Sequence, residues 1–139
     1  MILLDTNVIS EPLRLAPESA VVTWIDAQQL ETLYLSAVTV AELRAGVALM
    51  PSGKRQSLLA SSLEQQILPL FSGRVLAFDL ACTAAYAELL AKTRAAGVAL
   101  SAPDSFIAAI AASNGFAVAT RDTSPFVAAG IRVINPWQL

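Results

Sequence analysis

Histidine is absent from the 139-residue chain, and cysteine occurs once, at Cys82. That scarcity excludes zinc sites of the Cys/His kind, Ser–His and Cys–His nucleophile pairs, and histidine acid–base cleavage of RNA. A lone cysteine also excludes an internal disulfide, which fits a reducing cytoplasm; Cys82 reads as a small buried hydrophobe. Charge is scarce too. Only 14% of residues are charged while 55% are hydrophobic, against about 25% charged in a typical globular domain. Too little charge remains to clothe a small monomer, so a second copy is expected to cover apolar surface in a homodimer. The net charge of −2 excludes an overall basic nucleic-acid binder, and any attraction to nucleic acid must be local. Long apolar runs are missing: none reaches the roughly 18 residues of a membrane-spanning helix. Met1-Ile2-Leu3-Leu4 enters Asp5 without the basic start or cleavage site of a signal peptide. Chemistry is left to carboxylates, hydroxyls, Lys, Arg or a hard metal ion.

What is present alternates between short apolar runs and helical stretches, as one domain over residues 1–139. Met1–Leu4 reads as a buried strand running into a turn at Asp5-Thr6-Asn7. Pro17 and Glu18 open a helix with Val21, Trp24 and Ile25 at helical spacing. Leu33–Leu35 is a second strand. A helix over Thr39–Leu49, broken by Pro51-Ser52-Gly53, and another to about Leu70 form a helical hairpin. Leu59, Leu63 and Ile67 share one face of its second arm, a docking surface for a partner helix. Val75–Phe78 is a third strand, Asp79 caps a long helix that stops at Gly97, and Pro103 starts one ending near Asn114-Gly115. Phe116–Thr120 is a fourth strand, a short turn follows, and Ile131–Ile134 is the fifth. Strands apolar throughout, alternating with helices, predict an α/β fold with a mostly parallel five-stranded sheet covered on both faces. Ligand sites of such sheets lie outside the carboxyl ends of the strands.

Of only 11 acids, four fall at that edge. Asp5 ends the first strand, Asp122 follows the fourth, and Glu42 and Asp104 occupy the first turns of helices, that of Glu42 entered from the end of the second strand. Each has a bland reading taken singly. Asp5 and Asp122 suit turns, Thr39-Val40-Ala41-Glu42 matches a capping box, and Ser101-Ala102-Pro103-Asp104 resembles one. Four chance caps would not be expected to share one edge with no lysine or histidine between them. Carboxylates so crowded would hold protons, unless a divalent cation resolves the repulsion; oxygen-only donors suit Mg²⁺ or Mn²⁺. A metal-activated water would then replace the nucleophile that a histidine-free site lacks. Two phosphotransfer alternatives are disfavoured. A dehalogenase-type phosphatase wants a second Asp where Asn7 stands, and a receiver domain wants a lysine after a late strand, whereas the lysines are Lys54 and Lys92. Arg121, beside Asp122, is a candidate substrate contact or a partner for that acid. Arg44, Lys54, Arg55 and Arg74 read as a solvated face, and Trp24 and Trp137 as packing residues.

The same residues resemble the PIN-domain family. Leu4-Asp5-Thr6-Asn7-Val8-Ile9-Ser10 looks like its first acidic motif and Val38-Thr39-Val40-Ala41-Glu42-Leu43 like its second. Asp104 with Ile107-Ala108-Ala109 looks like the third and Thr120-Arg121-Asp122 the fourth. The resemblance spans the chain to Asn135-Pro136-Trp137 and is to the VapC-type toxins, FitB-like members in particular. It implies a three-layer α/β/α sandwich and an Mg²⁺- or Mn²⁺-dependent endoribonuclease, the toxin of a type II toxin–antitoxin system. Asp5, Glu42, Asp104 and Asp122 are then the catalytic, metal-binding acids, and Thr6, Asn7 and Thr120 supporting polar groups. The implied partners are an RNA substrate, a second copy of the chain, and a ribbon-helix-helix antitoxin through which operator DNA is bound. The alternative it leaves is a non-catalytic partner of such an antitoxin within a DNA-bound repressor complex.

Overall fold

The computed structural model describes residues 1–139 and contains one five-stranded sheet of order β3-β2-β1-β4-β5. Its strands are β1 (Ile2–Leu4), β2 (Leu33–Ser36), β3 (Val75–Leu76), β4 (Ala117–Ala119) and β5 (Val133–Ile134). Every adjacent pair is parallel, with Ile2 opposite both Leu33 and Ala117. Parallel strands need crossovers, and helices supply them. In chain order these are α1 (Thr6–Ser10), α2 (Ser19–Ala27), α3 (Ala37–Ala48), α4 (Lys54–Ser61), α5 (Leu80–Ala95), α6 (Ala102–Asn114) and α7 (Thr123–Ala128).

Side chains alternate across β1 and thereby divide the core in two. Leu3 faces a cluster with Val118 of β4, Cys82 and Leu89 of α5, Ile107–Ala111 of α6, and Phe126 of α7. Leu4 faces the other, with Leu33 and Leu35 of β2, Val8 of α1, Val21 of α2, and Val40 and Leu43 of α3. The result is the expected three-layer α/β/α sandwich. Leu3 and Leu4 are both fully buried, so truncating either to Ala would cost about 2–5 kcal/mol. The alanines of α6 let α5 pack closely against it; Ala108, Ala109 and Ala111 are fully buried. Gly115 ends α6 at φ 69°, a left-handed position that a Cβ disfavours.

Four details differ from the sequence reading. Residues Thr6–Ser10 are a short helix rather than a turn, capped by Asp5, whose carboxylate accepts from the Thr6 N–H. The turn expected after β4 is α7; its Pro125 sits in the first helical turn, where no intrahelical N–H is needed. Helix α3 begins at Ala37 with Ser36 as its cap, accepting from the Thr39 N–H, so Thr39 is not the N-cap of a capping box. The second arm of the hairpin is regular only to Ser61. It widens into a π-helical turn over Ser62–Ile67 and tightens to 3₁₀ over Leu68–Phe71, while Leu63 still reaches the core. No helix is long and apolar enough to cross a membrane.

Candidate active site

The strand order makes the site's position a consequence of topology. The chain leaves β1 for β2 and β3 on one side, then returns to place β4 on the other. Connections diverge between β1 and β4, opening a crevice at their carboxyl ends. Asp5 directly follows β1, and its N–H donates to Ala119 O of β4 at 2.9 Å. Thr120 directly follows β4 and is fully buried.

These two residues are joined. The Thr120 hydroxyl donates to Asp5 Oδ2 at 2.7 Å, and Asp5 Oδ1 accepts from the Thr6 N–H at 2.8 Å. Asn7 lies across the crevice mouth. Its Nδ2 reaches Asp5 Oδ2 at 3.5 Å and Thr120 Oγ1 at 3.4 Å, while its Oδ1 accepts from the Arg121 N–H at 3.2 Å. Thr120 Oγ1 also accepts the Asp122 N–H at 3.2 Å, tying the segment of the fourth acid to the first.

Glu42 enters from α3. The Thr6 hydroxyl gives its proton to Glu42 Oε1 at 2.6 Å and lies 3.2 Å from the buried Thr39 hydroxyl. With one proton, Thr6 then accepts from Thr39, and the three form a relay that fixes Glu42. Because α3 starts at Ala37, Glu42 lies in its second turn, beyond reach of the free N–H groups. A capping role is therefore removed for this acid. Ser101 caps α6 and accepts from the backbone N–H of Asp104 at 3.2 Å, so the cap is the serine and not the acid. Asp122 occupies the position before α7, but its side chain makes no cap bond.

Electrostatics bind the four together. Asp5 is only 4% exposed. Burial pushes its carboxyl from an ordinary 3.8 up to about 6, against the Thr120 and Thr6 hydrogen bonds, and the charges of Asp104 and Glu42 push it the same way. Asp104 is also raised, first by burial and then by Asp122 and Glu42, against its hydrogen bond with Ser101. The ion pairs of the chain, Arg14–Glu11 and Arg44–Glu64, involve none of the four acids. The carboxylates thus feel one another without a protein cation between them. They do not close into a preformed cage of three or more ligands. A groove of about 280 Å³ leads away from Thr6 and Glu42 past Leu43 and Val47 to Leu59 on the hairpin.

Hydrogen bonds tie Asp5, Thr6, Asn7, Thr120 and the backbone of Arg121 and Asp122 into one network, and Thr6 extends it to Glu42, whereas Asp104 is joined to these residues through charge alone. Missed by the sequence reading was Thr39, whose hydroxyl supports Thr6 rather than starting a helix; the preceding Ser36, three residues earlier, was the available signal. The basic residues of the hairpin region are largely committed elsewhere. Arg44 forks onto Glu64 at 2.7 and 3.0 Å, Arg55 donates to Leu13 O at 3.2 Å, and Arg74 donates to Leu33 O and Leu70 O at 3.0 and 2.6 Å. Cys82 is buried at the start of α5, and Trp24 packs against the core, as read from sequence. Glu11, a buried acid outside the site, is paired with Arg14 at 3.1 Å.

Comparison with known proteins identifies the family and the fold. The family model described as the PIN domain matches residues 2–130. Plasmid stability protein StbB of Pseudomonas syringae pv. tomato is 69% identical over 138 residues, 99% of each chain. VapC ribonuclease Y4jK of Sinorhizobium fredii is 56% identical over 138 residues, again 99% of each. Among solved structures, FitAB bound to the IR36 DNA fragment superposes with a TM-score of 0.97 at 52% identity, covering 100% of this chain and 97% of that one.

Proposed function

Because the chain belongs to the PIN-domain family, we propose that its four clustered acids make it a divalent-metal-dependent endoribonuclease, the toxin of a type II toxin–antitoxin pair. The observation that carries the reading is Asp5. It is a buried carboxyl raised to about 6, hydrogen-bonded by Thr120 and Thr6, and pressed by two further acids with no protein cation to relieve it. Crowding of this sort costs stability, and a bound cation relieves it.

The donor set fits a hard cation. Asp5, Glu42, Asp104 and Asp122 offer carboxylate oxygens only, the ligand chemistry of Mg²⁺ or Mn²⁺ rather than zinc. Such an ion, when bound, lowers the pKa of a water and neutralises phosphate charge. The chain's own residues do the rest. Thr120 and the Thr6 N–H fix both oxygens of Asp5. Thr6 and Thr39 hold Glu42 in one rotamer, and Asn7 bridges the strand ends to the Arg121 backbone. Holding ligands this firmly before a substrate arrives is what second-layer hydrogen bonds do at metal sites. With no histidine to take a proton from a ribose hydroxyl, water is the attacking group, and the products carry 5′-phosphate and 3′-hydroxyl ends.

The relatives support the biological setting. One bears the name VapC ribonuclease, and FitAB has been solved on a DNA fragment. In that setting the partner is an antitoxin that covers the site and carries the pair to operator DNA. The groove from Glu42 to Leu59 is where its helix would lie. The test is cleavage of single-stranded RNA by the purified chain, free of antitoxin. Cutting that requires Mg²⁺ or Mn²⁺, stops with EDTA and is lost in Glu42→Gln supports the reading. Metal-independent cutting, or none by a folded antitoxin-free protein, opposes it.

A further inference from the structure

We propose that Arg121, held over the indole of Trp137, is a phosphate clamp for the RNA strand entering the acid site. This rests on the ribonuclease reading and adds a residue pair that orients its substrate. The Arg121 guanidinium lies 5.2 Å from the Trp137 ring centroid. Its backbone is tied to the site, because the Arg121 N–H donates to Asn7 Oδ1 at 3.2 Å. Its charge is free. Arg121 is exposed and forms no ion pair, with Asp122 or any other acid. Arg44, Arg55 and Arg74 are instead spent on protein partners.

A crevice of four acids repels a polyphosphate, so a strand needs a fixed cation beside it. Arginine suits that place. Its planar fork stacks on an aromatic face while its edge N–H groups stay available to phosphate oxygens. Trp137 is itself fixed: its ring packs against the core cluster that contains Leu4 and Ala119, and its backbone N–H donates to Asn135 Oδ1 at 3.0 Å. The closing segment after β5 is therefore a positioning device for Arg121.

The experiment measures binding of a fluorescein-labelled single-stranded RNA in EDTA across a salt series, beside cleavage with Mn²⁺. Arg121→Ala should weaken binding about tenfold, the effect of losing one charged hydrogen-bonding group. It should also reduce the slope of log K against log salt by about 0.7, the value for one phosphate on a single strand. Trp137→Leu should weaken binding in the wild-type background and have no further effect in Arg121→Ala, whereas Trp137→Phe, which keeps a ring, should bind nearly normally. An unchanged salt slope in Arg121→Ala overturns the clamp while leaving the ribonuclease reading intact. Additive effects of the two substitutions overturn the positioning role of Trp137. Wild-type protein that binds no RNA overturns the clamp; if it also fails to cut with Mn²⁺, the ribonuclease reading falls with it.

Discussion

Asp5→Asn should make the metal-free protein more stable at neutral pH. The carboxyl of Asp5 ionises near 6 in the folded chain rather than at 3.8. Folded protein therefore binds the proton more tightly than unfolded protein does. Stability from this group is fully present below about pH 4 and is lost as pH rises through about 6. At about 1.4 kcal/mol per pH unit, the difference between 3.8 and about 6 corresponds to about 3 kcal/mol lost by pH 7. Asparagine keeps the shape and one acceptor for the Thr6 N–H but cannot ionise. Its amide group faces Thr120 Oγ1, which must turn from donor to acceptor while already receiving the Asp122 N–H at 3.2 Å. That lost bond returns about 1 kcal/mol, leaving a net gain of about 2 kcal/mol at pH 7 and a net loss of about 1 kcal/mol at pH 4. Urea unfolding of both proteins in EDTA, at equal concentration and across pH 4–8, isolates the difference from every other titrating group. A pH-independent difference, or an Asp5→Asn protein less stable at pH 7 than at pH 4 relative to wild type, would refute the reasoning.

Further outcomes follow from the same site. Millimolar Mg²⁺ or Mn²⁺ should raise the melting temperature of wild type, and Asp104→Asn should lose most of that rise; a wild-type melt indifferent to both ions would count against the carboxylate cluster. Thr6→Val should cut RNA cleavage by one to two orders of magnitude without unfolding the chain, since supporting hydrogen bonds at metal sites carry about 10–100-fold in activity, whereas Thr6→Ser should recover most of it. End-group analysis of the cut RNA should find 5′-phosphates, and 2′,3′-cyclic phosphates would contradict water attack. The isolated chain should sediment as a dimer at micromolar concentration, because α5 leaves Leu80 86% exposed and Leu90 36% exposed with little charge between them; a monomer would oppose this.

The acidic edge was legible because chemistry-bearing residue types are so few here. Once histidine was absent and acids scarce, Asp5, Glu42, Asp104 and Asp122 stood out at strand ends, and parallel-sheet topology placed them together. Strand order was not legible. Nothing in the runs Leu33–Leu35 or Ala117–Ala119 says that both flank β1, since register and neighbour choice arise from tertiary packing. Helix α1 was hidden by its residues, as Thr6, Val8 and Ile9 are β-branched and weak helix formers; the Asp5 cap and the burial of Val8 and Ile9 hold it. Helix α7 was hidden by Pro125, which reads equally as a turn former, and buried Phe126 decides the matter. Thr39 was misassigned because Thr-x-x-Glu suits a capping box as well as a buried hydroxyl. Only the position of Ser36 at the end of β2 separates the two readings.

The most direct test is the rate at which folded, metal-loaded Asp5→Asn protein cuts single-stranded RNA. The same substitution that stabilises the metal-free chain removes the proposed metal ligand that Thr120 and Thr6 hold in place. It should therefore lower the rate by about three orders of magnitude, on the scale of several kcal/mol for charge stabilisation by a metal. A stable Asp5→Asn protein that cuts as fast as wild type would contradict the account.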